Sequence, residues 1–219
     1  LLSNIKEYCV AYESNWIMGE SYEVQRLLDK VRICAIPILN PDSYEISEKG
    51  YGAIRNPIYR QMLKMQDKPV DDYESNARGI DLRKRVNQEP ASENETRALI
   101  SIFQEYSSLG LLTFSYSRGK IVYCRQEKGF AYNQRNYRLA RHLQKCSGYR
   151  LEKGIAGGAM TRKTGTKPDM GSPEQFYAEV IRQPSMAIEI PDYRKGEIEE
   201  LRMIPLEYIY SLNSGAFVK

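Results

Sequence analysis

Glu189 carries the strongest chemical claim in this chain, because it is the one charged residue in Pro184-Ser185-Met186-Ala187-Ile188-Glu189-Ile190. A carboxylate buried in such a run costs several kcal/mol unless it is paired, so it is either a functional group or half of a structural ion pair with an arginine. Arg78, in Asn76-Ala77-Arg78-Gly79-Ile80-Asp81-Leu82, offers a guanidinium that could donate to a substrate carbonyl or a developing oxyanion, with surface solvation as the alternative. His142 and Cys146 stand four apart and so share a helix face. Two ligands of this kind could begin a structural zinc site, but no second pair completes four, and a packed cysteine beside a half-exposed histidine is the plainer reading. No Gly-x-Ser-x-Gly, phosphate loop or dinucleotide fingerprint is present.

The elements that must position these residues follow from periodicity. Leu2, Ile5, Cys9, Tyr12 and Trp16 recur at helical spacing, which predicts an amphipathic helix over residues 1–16. Residues 31–39 are nearly all apolar or β-branched and predict a strand covered on both faces, with Cys34 buried and Asn40-Pro41-Asp42 as its stop. Residues 43–75 are polar and rich in tyrosine, a long excursion of the kind that usually carries function, with a short helix over 57–65. Ser92-x-x-Glu95 is a capping box, and the helix behind it presents Leu99, Ile102, Phe103 and Tyr106.

Strands are expected over 111–116 and 120–125, around Ser117-Arg118-Gly119, and a helix over 132–146 with Leu139, Leu143 and Cys146 inward. Cys124 is read as a buried residue of the strand over 120–125, a Gly, Thr and Lys-rich loop spans 153–171, Ser172-Pro173 starts another helix, 186–190 is a buried strand, and 205–212 open a terminal helix. Strands alternating with helices indicate an α/β fold in three layers, with a mostly parallel or mixed sheet and helices on both faces. At 219 residues, 42% hydrophobic and 27% charged, the chain suits a single domain over 1–219. A net charge of +4, with Arg83-Lys84-Arg85 as the one dense basic run, gives no case for a nucleic-acid partner. No stretch reaches the roughly 20 apolar residues of a membrane span.

Ile38-Leu39-Asn40-Pro41-Asp42-Ser43, Asn76-Ala77-Arg78-Gly79-Ile80-Asp81-Leu82 and Ser92-Glu93-Asn94-Glu95-Thr96, in this order and with a Tyr-rich segment between the first two, resemble the zinc carboxypeptidase family. They look most like its bacterial γ-D-glutamyl-L-diamino-acid endopeptidases, which cut peptidoglycan stem peptides. The resemblance implies the family's α/β fold without its first strands, a peptide-binding cleft, and zinc held by a His-x-x-Glu and a later His that ends a strand. It places the His-x-x-Glu before Leu1 and the later histidine at Tyr116, where phenol is a poor zinc ligand.

Residue by residue, Glu189 falls on the catalytic glutamate and Asp81 on the aspartate that orients the first zinc histidine. Arg83 and Lys84 fall on an Asn-Arg pair that clamps a terminal carboxylate, where lysine keeps the charge but not the fork. Gln175 and Phe176 fall on an Asp-Trp pair that precedes the catalytic strand, where the acid is lost and Phe176 keeps the aromatic as an expected substrate-binding residue, and 153–171 fall on the specificity loop. Arg78, Arg83, Lys84 and Arg118 would surround the cleft with positive charge. Two functions are thereby expected as alternatives. One is a catalytically impaired relative, without zinc in this chain, that binds a peptide or peptidoglycan fragment. The other is an active zinc metallopeptidase, carboxypeptidase or endopeptidase, whose His-x-x-Glu lies upstream.

Overall fold

Alternation along one strand resolves the puzzle of a carboxylate in an apolar run. In the computed structural model, β6 (Ser185–Ile190) lies between β3 (Leu111–Tyr116) and β4 (Lys120–Arg125), and β5 (Arg150–Ile155) completes a sheet of order β3-β6-β4-β5. β3 pairs with β6 in parallel, β4 with β5 in parallel, and β4 with β6 antiparallel, so the sheet is mixed. Met186, Ile188 and Ile190 join Ile121 and Tyr123 in a buried cluster with Leu139, Ala140 and Leu143 of α6 (Phe130–Ser147) and Ile204 and Tyr208 of α8 (Glu200–Asn213). Successive strand residues point to opposite faces, so Glu189 stands on the face away from that cluster. The residues described are 2–19, 22–66, 69–70, 73–82, 86, 93–106, 108–116, 119–126, 128–155, 172–191 and 200–214.

The chain divides into two compact units. The first comprises Leu1–Ala35, Ser107–Pro168 and Glu174–Lys219, and holds the sheet. Here α1 (Leu2–Glu13), the short β1 (Ile17–Met18) and β2 (Tyr22–Glu23), and α2 (Val24–Leu28) build a second cluster of Tyr8, Ala11, Met18, Val24 and Leu27 around Leu206. Pro205 lies inside α8, where a proline cannot donate to the carbonyl four residues back. That carbonyl, on Leu201, accepts instead from Asn4 Nδ2 at 2.9 Å, and Arg202 O accepts from Tyr8 OH at 2.5 Å. The terminal helix therefore starts at Glu200, and Pro205, expected to open it, is tolerated because α1 satisfies the freed group.

The second unit, Ile36–Tyr106 with Asp169–Pro173, holds α3 (Pro41–Lys49), a 3-10 turn (Gly50–Ala53), α4 (Pro57–Lys64) and α5 (Asn94–Tyr106). Ile46, Ile54, Leu63 and Tyr73 form its buried cluster, and Leu99 and Phe103 are buried on α5.

Five sequence expectations need correction. Residues 31–39 form no strand and Cys34 is exposed, since Pro37 has no N–H for a ladder and Arg32 is charged. Cys146 and Tyr106 are exposed. On α6 the buried stripe runs Asn136, Leu139, Ala140, Leu143, Ser147, and a period of 3.6 reaches 147 rather than 146. Strand β5 was expected to be loop from residue 153. Its Gly154 admits close strand approach, because a Cβ there would sit 2.9 Å from Val122 Cγ1. The loop's residues 156–171, and Ser92 of the capping box, lie outside the described residues. Among the described residues, no helix is long and apolar enough to cross a membrane.

Candidate functional site

The Asn-Pro-Asp segment and the Asn-Ala-Arg-Gly turn fold against each other within the second unit. Asn40 caps α3, its Oδ1 accepting from Ser43 N at 3.0 Å with Pro41 as the first helical residue. Asn40 Nδ2 donates to Glu74 O at 3.0 Å, and the Ser43 hydroxyl donates to Tyr73 O. Asp42 Oδ2 accepts from Ala77 N at 2.8 Å. Polar side chains of the first motif thus hold the backbone of the second.

Asn76 is the hub. It is 2% exposed, its Oδ1 accepts from the amides of Arg78 and Ile80, each at 3.0 Å, and its Nδ2 donates to Glu93 Oε2 at 2.6 Å. Glu93 is itself buried, and its other oxygen takes Arg78 Nη1 at 2.8 Å. The turn needs Gly79, whose φ is +80° and whose Cβ would lie 2.8 Å from Leu63 Cδ2. Arg78 is left with half of its side chain exposed and lines a cavity of about 210 Å³ with Asp42, Asn76, Glu93, Asn94 and Glu95. Asp81 is half-buried one residue beyond Ile80.

In the first unit, register sets Ser115, Glu189, Lys120 and Arg150 in one row across the four strands. This row lies at the carboxyl ends of β3 and β6, the edge at which open α/β sheets place ligands. Lys120 Nζ stands 3.3 Å from Glu189 Oε1 and 3.0 Å from Glu152 Oε2. The hydrogen bond that Lys120 donates to Glu152, helped by Glu189 and opposed by partial burial, raises the Lys120 pKa, so the ammonium stays charged. Tyr116 ends β3 opposite Ile190. Phe176, at the end of α7 (Pro173–Phe176), is buried. Arg83, Lys84 and Arg118, the other expected cations, lie outside the described residues, as does the side chain of Tyr116.

The structure therefore keeps Arg78 and Asp81 in one unit and Glu189 and Tyr116 in the other. Sequence reasoning named neither Glu93 nor Asp42 as a working residue. Glu93 stood in a motif whose capping-box reading gave the weight to Glu95, and Asp42 was read as part of a turn. A polar Asn-x-Arg turn that must be held shut was the available signal for a buried acid partner.

The donor set can be compared with the zinc that the resemblance implies. The one histidine lies exposed on α6, its Nδ1 3.7 Å from Glu207 Oε1, remote in sequence from the end of β3. Among the described residues, no group of three His, Cys, Asp or Glu side chains is placed to hold a metal ion. The described residues do not fit a zinc site.

No curated protein matches the chain. The family model of the zinc carboxypeptidases matches residues 1–147, which include all three motifs, β3, β4 and α6 and end before β6 and Glu189. With two thirds of its length in that match and a mixed sheet and helices of the expected kind, the chain belongs to the zinc carboxypeptidase family.

Proposed function

We propose that this chain is a peptide-binding member of the zinc carboxypeptidase family in which hydrolysis is impaired, and that its ligand is an anionic peptide of the peptidoglycan stem type. The observation that carries the reading is the donor set. Tyr116 ends β3, where the sequence resemblance would set the family's strand-end histidine, and the chain's one histidine belongs to α6. Peptide hydrolysis in this family relies on the metal to polarise the carbonyl and supply hydroxide. Glu189 cannot replace that contribution, since it offers only a carboxylate whose near partner is Lys120.

Binding asks for less. Arg78 presents a half-exposed guanidinium that Glu93 and Asn76 hold in place, and a guanidinium recognises a carboxylate without any metal. Arg83, Lys84 and Arg118 would add to that charge, and Asp81 and Phe176 would serve as framework.

The test is calorimetric titration with γ-D-glutamyl-diaminopimelate stem peptides, alongside a hydrolysis assay with added zinc and elemental analysis after dialysis. We expect weak binding, no turnover and no stoichiometric zinc. Zinc-dependent turnover that Glu189→Gln abolishes would overturn the reading in favour of a working peptidase.

A further inference from the structure

Arg55 lies between the 3-10 turn and α4, exposed to solvent, and among the described residues its guanidinium has no hydrogen-bond or ion-pair partner. Its neighbour in sequence, Arg60, is quite different, with Nε and Nη2 both on Ile54 O at 2.9 and 2.6 Å. Arg55 lines a cavity of about 500 Å³ in the second unit, together with Asp42, Glu45, Tyr59, Ala77 and Arg78.

The two acids of this cavity already have partners. Asp42 accepts from the Ala77 amide at 2.8 Å, and Glu45 stands 3.5 Å from Lys49 Nζ. Arg78 uses one nitrogen, Nη1, on Glu93. What remains unmatched is donor capacity on two guanidinium groups, beside the aromatic ring of Tyr59. A guanidinium presents paired N–H groups in a fixed plane, which suits the two oxygens of a carboxylate.

We propose that Arg55 and Arg78 form a carboxylate-binding subsite in this cavity, with Arg55 as a specificity-determining residue for the peptide. The inference rests on the peptide-binding reading and goes beyond it by assigning recognition of a ligand carboxylate to a residue outside all three family motifs. The carboxylate can come from a peptide C-terminus or an acidic side chain, and the probes separate the two.

The full chain is titrated with N-acetyl-alanyl-alanine, with its C-terminal amide, and with N-acetyl-glutamic acid amide, with binding followed by shifts of the backbone amides of residues 55, 77 and 78. The free acid is expected to bind about tenfold more tightly than the amide. Binding of the glutamate probe as well assigns the subsite to carboxylates in general, and its failure restricts the subsite to C-termini. Arg55→Gln removes a side chain with no described protein partner, so its melting should be unchanged, while the acid falls to the affinity of the amide. Equal binding of acid and amide, or an acid affinity that survives Arg55→Gln, overturns this inference and leaves peptide binding standing. Failure of all three probes to bind overturns the inference and the peptide-binding reading together.

Discussion

Glu93 and Glu189 are both carboxylates facing a cation, and they differ in everything around that pair. Glu93 is 4% exposed, takes Asn76 Nδ2 at 2.6 Å and Arg78 Nη1 at 2.8 Å, and so closes a network that also fixes two backbone amides. Glu189 has a side chain 20% exposed and meets Lys120 at 3.3 Å, a lysine it shares with the half-exposed Glu152. Buried charge that is fully hydrogen-bonded is costly to disturb, because removing one partner leaves the others desolvated and unpaired. A shared, partly solvated pair has little to lose. The two acids of the second unit's motifs, Asp42 and Glu93, are thus occupied in holding their own turn shut, whereas the carboxylate of β6 has only a shared lysine to hold it.

That contrast fails if the hub can be removed cheaply. Asn76→Ala deletes two acceptor contacts and one donor contact at a site 2% exposed, and should cost about 3 kcal/mol in chemical denaturation. A loss under about 1 kcal/mol would show that the turn is held by other means.

At the other pole, Glu189→Gln leaves Lys120 with Glu152 at 3.0 Å, and the change in stability should stay below about 1 kcal/mol. The same denaturation experiment measures it. A cost as large as that of Asn76→Ala would make Glu189 a structural residue and remove it from any account of ligand chemistry.

The sheet was legible in the sequence to the extent that local pattern determines it. Residues 111–116 and 120–125 read as strand segments around Ser117-Arg118-Gly119, and both are strands with the expected bounds. Residues 31–39 misled because composition argued for a strand while Pro37 removed the donor a covered strand requires. Glu189 was conspicuous as a charge in an apolar run, yet its company depended on register: pairing of β4 with β6 sets Lys120 directly opposite, and no local pattern reports cross-strand partners. Glu93 was harder still. Its role depends on a turn 15 residues earlier folding back to it, and the same letters also spell a helix start. Arg55 carried no signal, since its meaning comes from which neighbours lack a claim on it.

A third carboxylate sharpens the comparison, because it is buried like Glu93 but has hydroxyls where Glu93 has a guanidinium. Glu207 of α8 is 6% exposed. It accepts from Ser211 Oγ at 2.9 Å and from the Tyr22 hydroxyl, with His142 Nδ1 at 3.7 Å. Burial raises its pKa above the usual glutamate value, and the Ser211 hydrogen bond only partly opposes this. A raised carboxyl pKa means that the folded state holds the proton more tightly than the unfolded one. Between the ordinary and the raised value the folded state therefore binds more protons, and stability falls as pH rises through that window. Glu207→Gln keeps the shape and removes the titration. Unfolding free energies of the two proteins should be compared from about pH 4 to about pH 8, in a His142→Gln background that removes the imidazole 3.7 Å from Glu207 Oε1. The unsubstituted glutamate should be relatively more stable at the acid end and lose that advantage as pH rises. A difference that stays flat, or that grows with pH, would mean that Glu207 is as well satisfied in its charged form as Glu93 is, and the distinction between a buried acid with a guanidinium and one with hydroxyls alone would not hold in this fold.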